Sequence, residues 1–257
     1  MSKLPSQNKF LDFSDYGRKP ARWIALRLKN TKVNAVHVTL LFFISGLIAA
    51  YCIYSGFYLI GGILLILKSI LDAADGELAR IKKHPSFIGR YLDSVLDLIL
   101  NFIILATITN VTTTSNTLLI ICFLAFQLQG TVYNYYYLIL RNNIEGADRT
   151  SRIKENSFPQ ALHGENQLMV NVLYVLYVLF YRGFDLVVIF LDTKAQNIKR
   201  LPNWFLSLTS IYGLGFQLLL IAVLLGLNLL DIIIPFFMGY SLFIPVIILT
   251  RKIFVSN

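Results

Sequence analysis

Residues 71–97 read LDAADGELARIKKHPSFIGRYLDSVLD, an island of charge between two apolar runs. Five of the chain's fourteen acids fall inside it: Asp72, Asp75, Glu77, Asp93 and Asp97. Asp72 and Asp75 are three residues apart at the end of an apolar run over 57–78, and Asp93 and Asp97 are four apart at the start of another over 87–108. On helices, both spacings put the paired carboxylates on one face. The linker between the runs contains Pro85 and is short enough to fold them back as a hairpin, so four carboxylates converge at one end of it. Like charges 4 Å apart repel by about 4 kcal/mol at an effective dielectric near 20, so such a cluster needs counter-charge. Lys68, one turn before Asp72, offsets part of it. Two divalent cations would neutralise four carboxylates, and hard oxygen ligands suit Mg2+ first and Mn2+ next. A pair of cations is also a template for displacement at phosphorus.

Outward from that island the chain is apolar. Of 257 residues, 56% are hydrophobic and 14% charged, against about 25% charge in an ordinary soluble domain. This excludes a water-soluble globule and points to an all-α, polytopic, integral-membrane protein. Apolar runs lie at 36–54, 57–78, 87–108, 117–140, 168–191, 203–226 and 229–250. Seven crossings would put the bases around 194–200 and 251–252 on opposite sides from the rest. If 168–191 is instead a bent, non-crossing segment, interrupted at Arg182, Gly183 and Asp185, the loops near 55–56, 109–116 and 227–230 are free of Lys and Arg. The expectation is therefore six transmembrane helices, with both termini and the acidic cluster at the cytoplasmic face.

The net charge of +9 is concentrated at the start, where Lys3, Lys9, Arg18, Lys19, Arg22, Arg27, Lys29 and Lys32 precede Asn34. With Phe10, Leu11, Phe13, Trp23, Ile24, Leu26 and Leu28 among them, this segment reads as an interfacial amphipathic helix, broken by Gly17 and Pro20. Its partner is anionic membrane lipid, not nucleic acid. The chain reads as a single domain over 1–257, with an interfacial segment at 1–33 and a helical bundle at 34–257. Cys52 and Cys122 sit in apolar runs without metal-ligand spacing and read as packing residues.

Acids at wet span ends are often only helix-end features, and Ser86 is by position an N-cap. What sets this stretch apart is the placing of small residues beside the acids. Gly76 and Ala79 follow Asp75 on one helix, and Gly89 lies one turn before Asp93 on the other. They leave room either for close helix packing or for a flat ligand against backbone.

The pattern Asp72-x2-Asp75-Gly76-x2-Ala79-Arg80-x8-Gly89-x3-Asp93-x3-Asp97 resembles, at every fixed position, the motif of the CDP-alcohol phosphotransferases. The resemblance implies that Asp72, Asp75 and Asp93 hold a metal pair, that Asp97 is the general base and touches a metal, and that Gly76, Ala79, Arg80 and Gly89 line the cytidine diphosphate pocket. Ser86 falls where that family often has a hydroxyl near the nucleotide. The family's first span often begins Pro-Asn-x-x-Thr; here Thr39 is kept, Ala35 and Val36 stand in the Pro and Asn places, and Asn34 and His37 are the available substitutes. It further implies a transferase of phospholipid biosynthesis that moves a substituted phosphate from a CDP-linked donor to an alcohol, releases CMP, and forms a homodimer. CDP-diacylglycerol with a small alcohol acceptor is the preferred pairing, because Ser94 follows Asp93 where the choline and ethanolamine transferases have Asp-His.

Transfer of phosphocholine or phosphoethanolamine from its CDP-linked donor onto diacylglycerol with release of CMP, and an inositol-phosphate transferase, remain alternatives, as does a divalent-cation transporter of a different class. Against the transporter, the acids lie near one boundary, and beyond Leu98 the third run is apolar except for Asn101. Tyr133, Asn134, Tyr135, Tyr136 and Tyr137 read as an interfacial aromatic belt, with a wall for the acceptor as the alternative, and Arg141, Arg149, Arg152 and Lys154 as positive-inside residues or a grip on a phosphorylated acceptor. The charge map makes a direct prediction: a reporter fused after the last residue reports from the cytoplasm, and an external signal restores the seven-span count.

Overall fold

The computed structural model describes residues 9–144, 158–198 and 200–255, and every regular element among them is helical. A 3-10 turn at Phe13–Asp15 leads into α1 (Arg18–Leu28). Four long helices follow, α2 (Ala35–Tyr54), α3 (Tyr58–Lys82), α4 (Phe87–Val111) and α5 (Asn116–Asn142), each reversing on a short turn. Then come α6 (Gln167–Leu191), α7 (Asn203–Ser210), α8 (Leu214–Gly226), α9 (Leu230–Tyr240) and α10 (Phe243–Phe254).

Local chemistry sets the hairpin that carries the acids. Helix α3 stops where Lys83 takes a left-handed conformation, φ +55°, and its N–H caps the carbonyls of Ala79 and Arg80. Pro85 cannot continue the helix, and Ser86 opens α4 by accepting a hydrogen bond from the Gly89 N–H at 2.8 Å. At the N-terminus the structure corrects one expectation. Gly17 does end the 3-10 turn, but Pro20 sits in the first turn of α1, where its missing N–H costs nothing, and the helix runs through it. Ala21 and Ala25 of α1 are buried with Ala74 and Leu78 of α3, while Lys19, Arg22, Trp23, Leu26 and Arg27 face outward.

By length and composition, α2, α4, α5, α6 and α9 with α10 can each cross a bilayer, and α7 with α8, bent by 45°, makes a sixth candidate. Helix α3 is as long, carries Lys68, Asp72 and Asp75, and runs antiparallel between α2 and α8. That packing is close. A Cβ on Gly62 would lie 2.9 Å from the Ala222 carbonyl oxygen, and one on Gly215 only 2.0 Å from that of Ser14. Lipid tails provide no hydrophobic drive between helices, so such close approach and van der Waals fit hold the bundle. Phe42, Leu65, Leu100, Ile104, Phe126, Leu218 and Phe237 fill its centre, all at most 2% exposed.

Helix α6 departs from expectation in form. Arg182, Gly183 and Asp185 do not bend it; it is one unbroken helix of 25 residues. It nevertheless lies across the bundle rather than along it. Just before it starts, Glu165 accepts hydrogen bonds from the Ser86 hydroxyl and the Ile88 N–H at the start of α4. Its middle packs Tyr174 and Tyr177 on Tyr91 and bonds Tyr181 to the Ser94 carbonyl. It ends at Asp192, which meets Tyr135 and Tyr136 near the end of α5 and Arg251 near the end of α10. The start of α4 and the ends of α5 and α10 are the same end of the bundle, so both ends of α6 lie there. Single cysteines at His84, His163 and Lys194, in a background free of Cys52 and Cys122, are therefore expected to react with a membrane-impermeant reagent from the same face; labelling of position 194 from the opposite face contradicts this placement.

Candidate active site

The α3–α4 hairpin brings Asp72, Asp75 and Asp93 together. One carboxylate oxygen from each lies within 4.8 Å of the other two. Asp75 is 6% exposed, and Asp93 Oδ1 is buried with no hydrogen-bond donor on it among the described residues. Ligands around an octahedral ion with bonds near 2.1 Å stand roughly 3 to 4.2 Å apart, so a small contraction of the trio suits a hard divalent cation. An all-oxygen donor set and an orphaned buried carboxylate oxygen fit such an ion.

Two side chains fix the acids. The Thr39 hydroxyl, 1% exposed on α2, donates to Asp75 Oδ2 at 2.6 Å. Thr39, which the family resemblance places on the nucleotide side, reaches the site here by orienting a carboxylate. Asp97 stands outside the trio. It is ion-paired with Lys68, which is fully buried on α3, 3.6 Å from Asp72 and 4.8 Å from the centre of the Phe42 ring. Asn34 and His37, the substitutes for the missing Pro-Asn pair, bond each other in a capping box at the start of α2.

The residues expected around a nucleotide flank the acids on α3 and at the start of α4. Gly76 keeps space between α3 and the Arg80 guanidinium, 3.5 Å from where a Cβ would sit, with Ala79 one turn farther. A Cβ on Gly89 would meet Ser86 Oγ at 3.2 Å and Val36 of α2 at 3.5 Å. Arg80 donates to Glu77 Oε1 at 3.0 Å, and its Nε is buried without a hydrogen-bond partner among the described residues. The same Glu77 oxygen accepts from Arg18 at 2.8 Å, which ties α1 to the motif helix. Although burial opposes its charge, Asp15 and Glu77 hold the Arg18 guanidinium above its usual pKa. Ser86 is the N-cap, and its hydroxyl proton goes to Glu165 at 2.7 Å.

Sequence reasoning overlooked Glu165, which lies 79 positions from Ser86, and the buried pair of Asp192 and Arg251, 59 apart. No periodicity connects residues at such separations. The tyrosines of α5 are not an interfacial belt: Tyr133, Tyr135, Tyr136 and Tyr137 are all at most 9% exposed, and Tyr133 donates to Asp12 at 2.6 Å. Gln129 bridges helices, donating to the Phe237 carbonyl at 2.8 Å and the Ser241 hydroxyl at 2.7 Å. Arg141 lies over the Tyr137 ring, while Arg149, Arg152 and Lys154 fall outside the described residues.

Comparison with known proteins places the chain in a family. A family model described as CDP-alcohol phosphatidyltransferase matches residues 32–180. The chain is 39% identical over 93 residues to the bifunctional IPC transferase and DIPP synthase of Archaeoglobus fulgidus, covering 35% of this chain and 19% of that protein. Its counterpart in Aquifex aeolicus is 41% identical over 77 residues, 30% of this chain and 18% of that protein. The archaetidylinositol phosphate synthase of Pyrococcus horikoshii is 32% identical over 80 residues, 31% of this chain and 43% of that protein. This chain thus spans less than half the length of each of these relatives.

The Thr39 contact makes a testable demand. Removing the partner that orients a metal-ligating carboxylate typically weakens the metal by about 10- to 100-fold. Thr39→Val is expected to lower Mn2+ affinity by about that factor without loss of helix content, read by electron paramagnetic resonance titration in detergent; unchanged affinity removes Thr39 from the site.

Proposed function

We propose that this chain, which belongs to the CDP-alcohol phosphatidyltransferase family, is an integral-membrane transferase that moves the phosphatidyl group of CDP-diacylglycerol onto the hydroxyl of a small alcohol and releases CMP. The observation that carries the proposal is the convergence of Asp72, Asp75 and Asp93 at the hairpin end, beside the small residues Gly76 and Gly89 and the Arg80 guanidinium. The positive-inside pattern supports a cytoplasmic position for that site, and the reading takes 1–257 as a single domain.

Divalent cations, two in this reading and Mg2+ by ligand chemistry, would neutralise the diphosphate and the charge that builds on departing CMP. The remaining work belongs to the chain's own side chains. Asp72, Asp75 and Asp93 set the position of the diphosphate, and Thr39 keeps Asp75 turned inward. Arg80, aligned by Glu77, offers a forked donor to phosphate oxygens. The small residues Gly76, Ala79 and Gly89, with Ser86 beside them, admit the cytidine without side-chain bulk. Asp97 accepts the proton of the acceptor hydroxyl as that oxygen bonds to the phosphatidyl phosphorus. The bond from phosphorus to the bridging oxygen breaks, and CMP leaves with that electron pair. Fixing donor and acceptor in line is the main service, since positioning supplies much of the rate in such transfers.

An inositol phosphate as acceptor is a second reading, favoured by the match to an archaetidylinositol phosphate synthase. The guanidinium of Arg141, near the acids' end of α5, would suit a phosphorylated acceptor. The test is CMP release by purified chain in detergent from CDP-diacylglycerol with glycerol, serine, inositol or inositol phosphate, with the lipid product identified by mass spectrometry. One acceptor is expected to support release in Mg2+, and Asp75→Asn is expected to abolish it while helix content is retained. Full turnover in the variant takes Asp75 out of the chemistry, and no CMP release with any CDP-linked donor overturns the assignment.

A further inference from the structure

The four motif carboxylates are not equivalent in this chain, and Lys68 is the reason. Three of them, Asp72, Asp75 and Asp93, face one another within 4.8 Å. The fourth, Asp97, is engaged by an ammonium that has no contact with solvent. Lys68 leaves α3 one helical turn before Asp72, so its Nζ sits beside both Asp97 and Asp72, 3.6 Å from the latter, with the Phe42 ring behind it at 4.8 Å. An ammonium backed by an aromatic face is held by the ring as well as by the acids. It therefore stands where an ion bridging Asp72 and Asp97 would draw its charge compensation.

We infer that Lys68 is a built-in cation that makes the two divalent sites unequal: the free protein holds one ion on Asp72, Asp75 and Asp93, and a second enters only with the diphosphate of the donor. A divalent ion next to the ammonium is repelled twice as strongly as a monovalent one, and Asp97 is already compensated. A CDP diphosphate reverses both conditions, because it brings negative charge and hard oxygen ligands of its own. Lys68 is accordingly a positioning residue, one that keeps Asp97 aligned before substrate arrives and links completion of the site to donor binding.

The inference rests on the reading of the trio as a cation site, and the test separates the two. Mn2+ bound to the full chain in detergent is counted by electron paramagnetic resonance, without nucleotide and with saturating CDP. One ion without CDP and two with it are expected; two ions in the absence of CDP, or one in both conditions, overturn the inference and leave the trio intact. Lys68→Met is expected to bind two ions without CDP if it folds, and a single ion there also counts against the role of Lys68. Should the variant not fold, the wild-type comparison decides alone. No bound Mn2+ in either condition overturns the reading of the trio, and this inference with it.

Discussion

Four carboxylates and one ammonium share a small, mostly desolvated space at the end of the α3–α4 hairpin, and the fold is arranged around that excess of negative charge. Water does not reach Lys68, and Asp75 and the Oδ1 of Asp93 are nearly as secluded. Buried charges are tolerated only when paired, hydrogen-bonded or bound to metal. Lys68 compensates one carboxylate and Thr39 hydrogen-bonds another, which leaves a surplus that demands cations. A site so built suits hard divalent cations and is poorly suited to remain without counter-charge.

The surrounding elements keep that end of the bundle in register. The strap before α1 is locked by Phe13 N–H to Ser210, by Tyr133 to Asp12 and by the close seat of Ser14 on Gly215. Arg18 then reaches Glu77 and, through it, Arg80. On the other side α6 braces α4 from Glu165 at its first turn to Tyr181 on the Ser94 carbonyl. Both braces act on the two helices that carry the acids. Each links a segment that lies at or across the membrane boundary to the chemistry.

Much of this is legible in the residues alone, because helix periodicity is local. Spacings of three and four put Asp72 with Asp75 and Asp93 with Asp97, and a Pro after a charged turn makes the hairpin. The loops without Lys or Arg, weighed against the basic ones, placed the ends of 168–191 on one side, and the contacts of Glu165 and Asp192 agree, although the interruption at Arg182 to Asp185 produces no bend. In an isolated sequence Gly183 weakens a helix, but tertiary packing of Tyr174, Tyr177 and Tyr181 carries it through. What was not legible depends on partners distant in sequence. Thr39 stands out in the sequence only as a position kept from the family's first span; the crossing of α2 over α3 is what sets its hydroxyl on Asp75. The tyrosines of α5 looked interfacial because Tyr often is, whereas here Asp12 and Asp192, from opposite ends of the chain, satisfy them in the interior.

The most direct measurement is an anomalous-difference map from crystals of the full chain grown with Mn2+. The account predicts a peak within bonding distance, about 2.2 Å, of carboxylate oxygens from Asp72, Asp75 and Asp93 together. Manganese elsewhere, with those three side chains pointing apart, contradicts it.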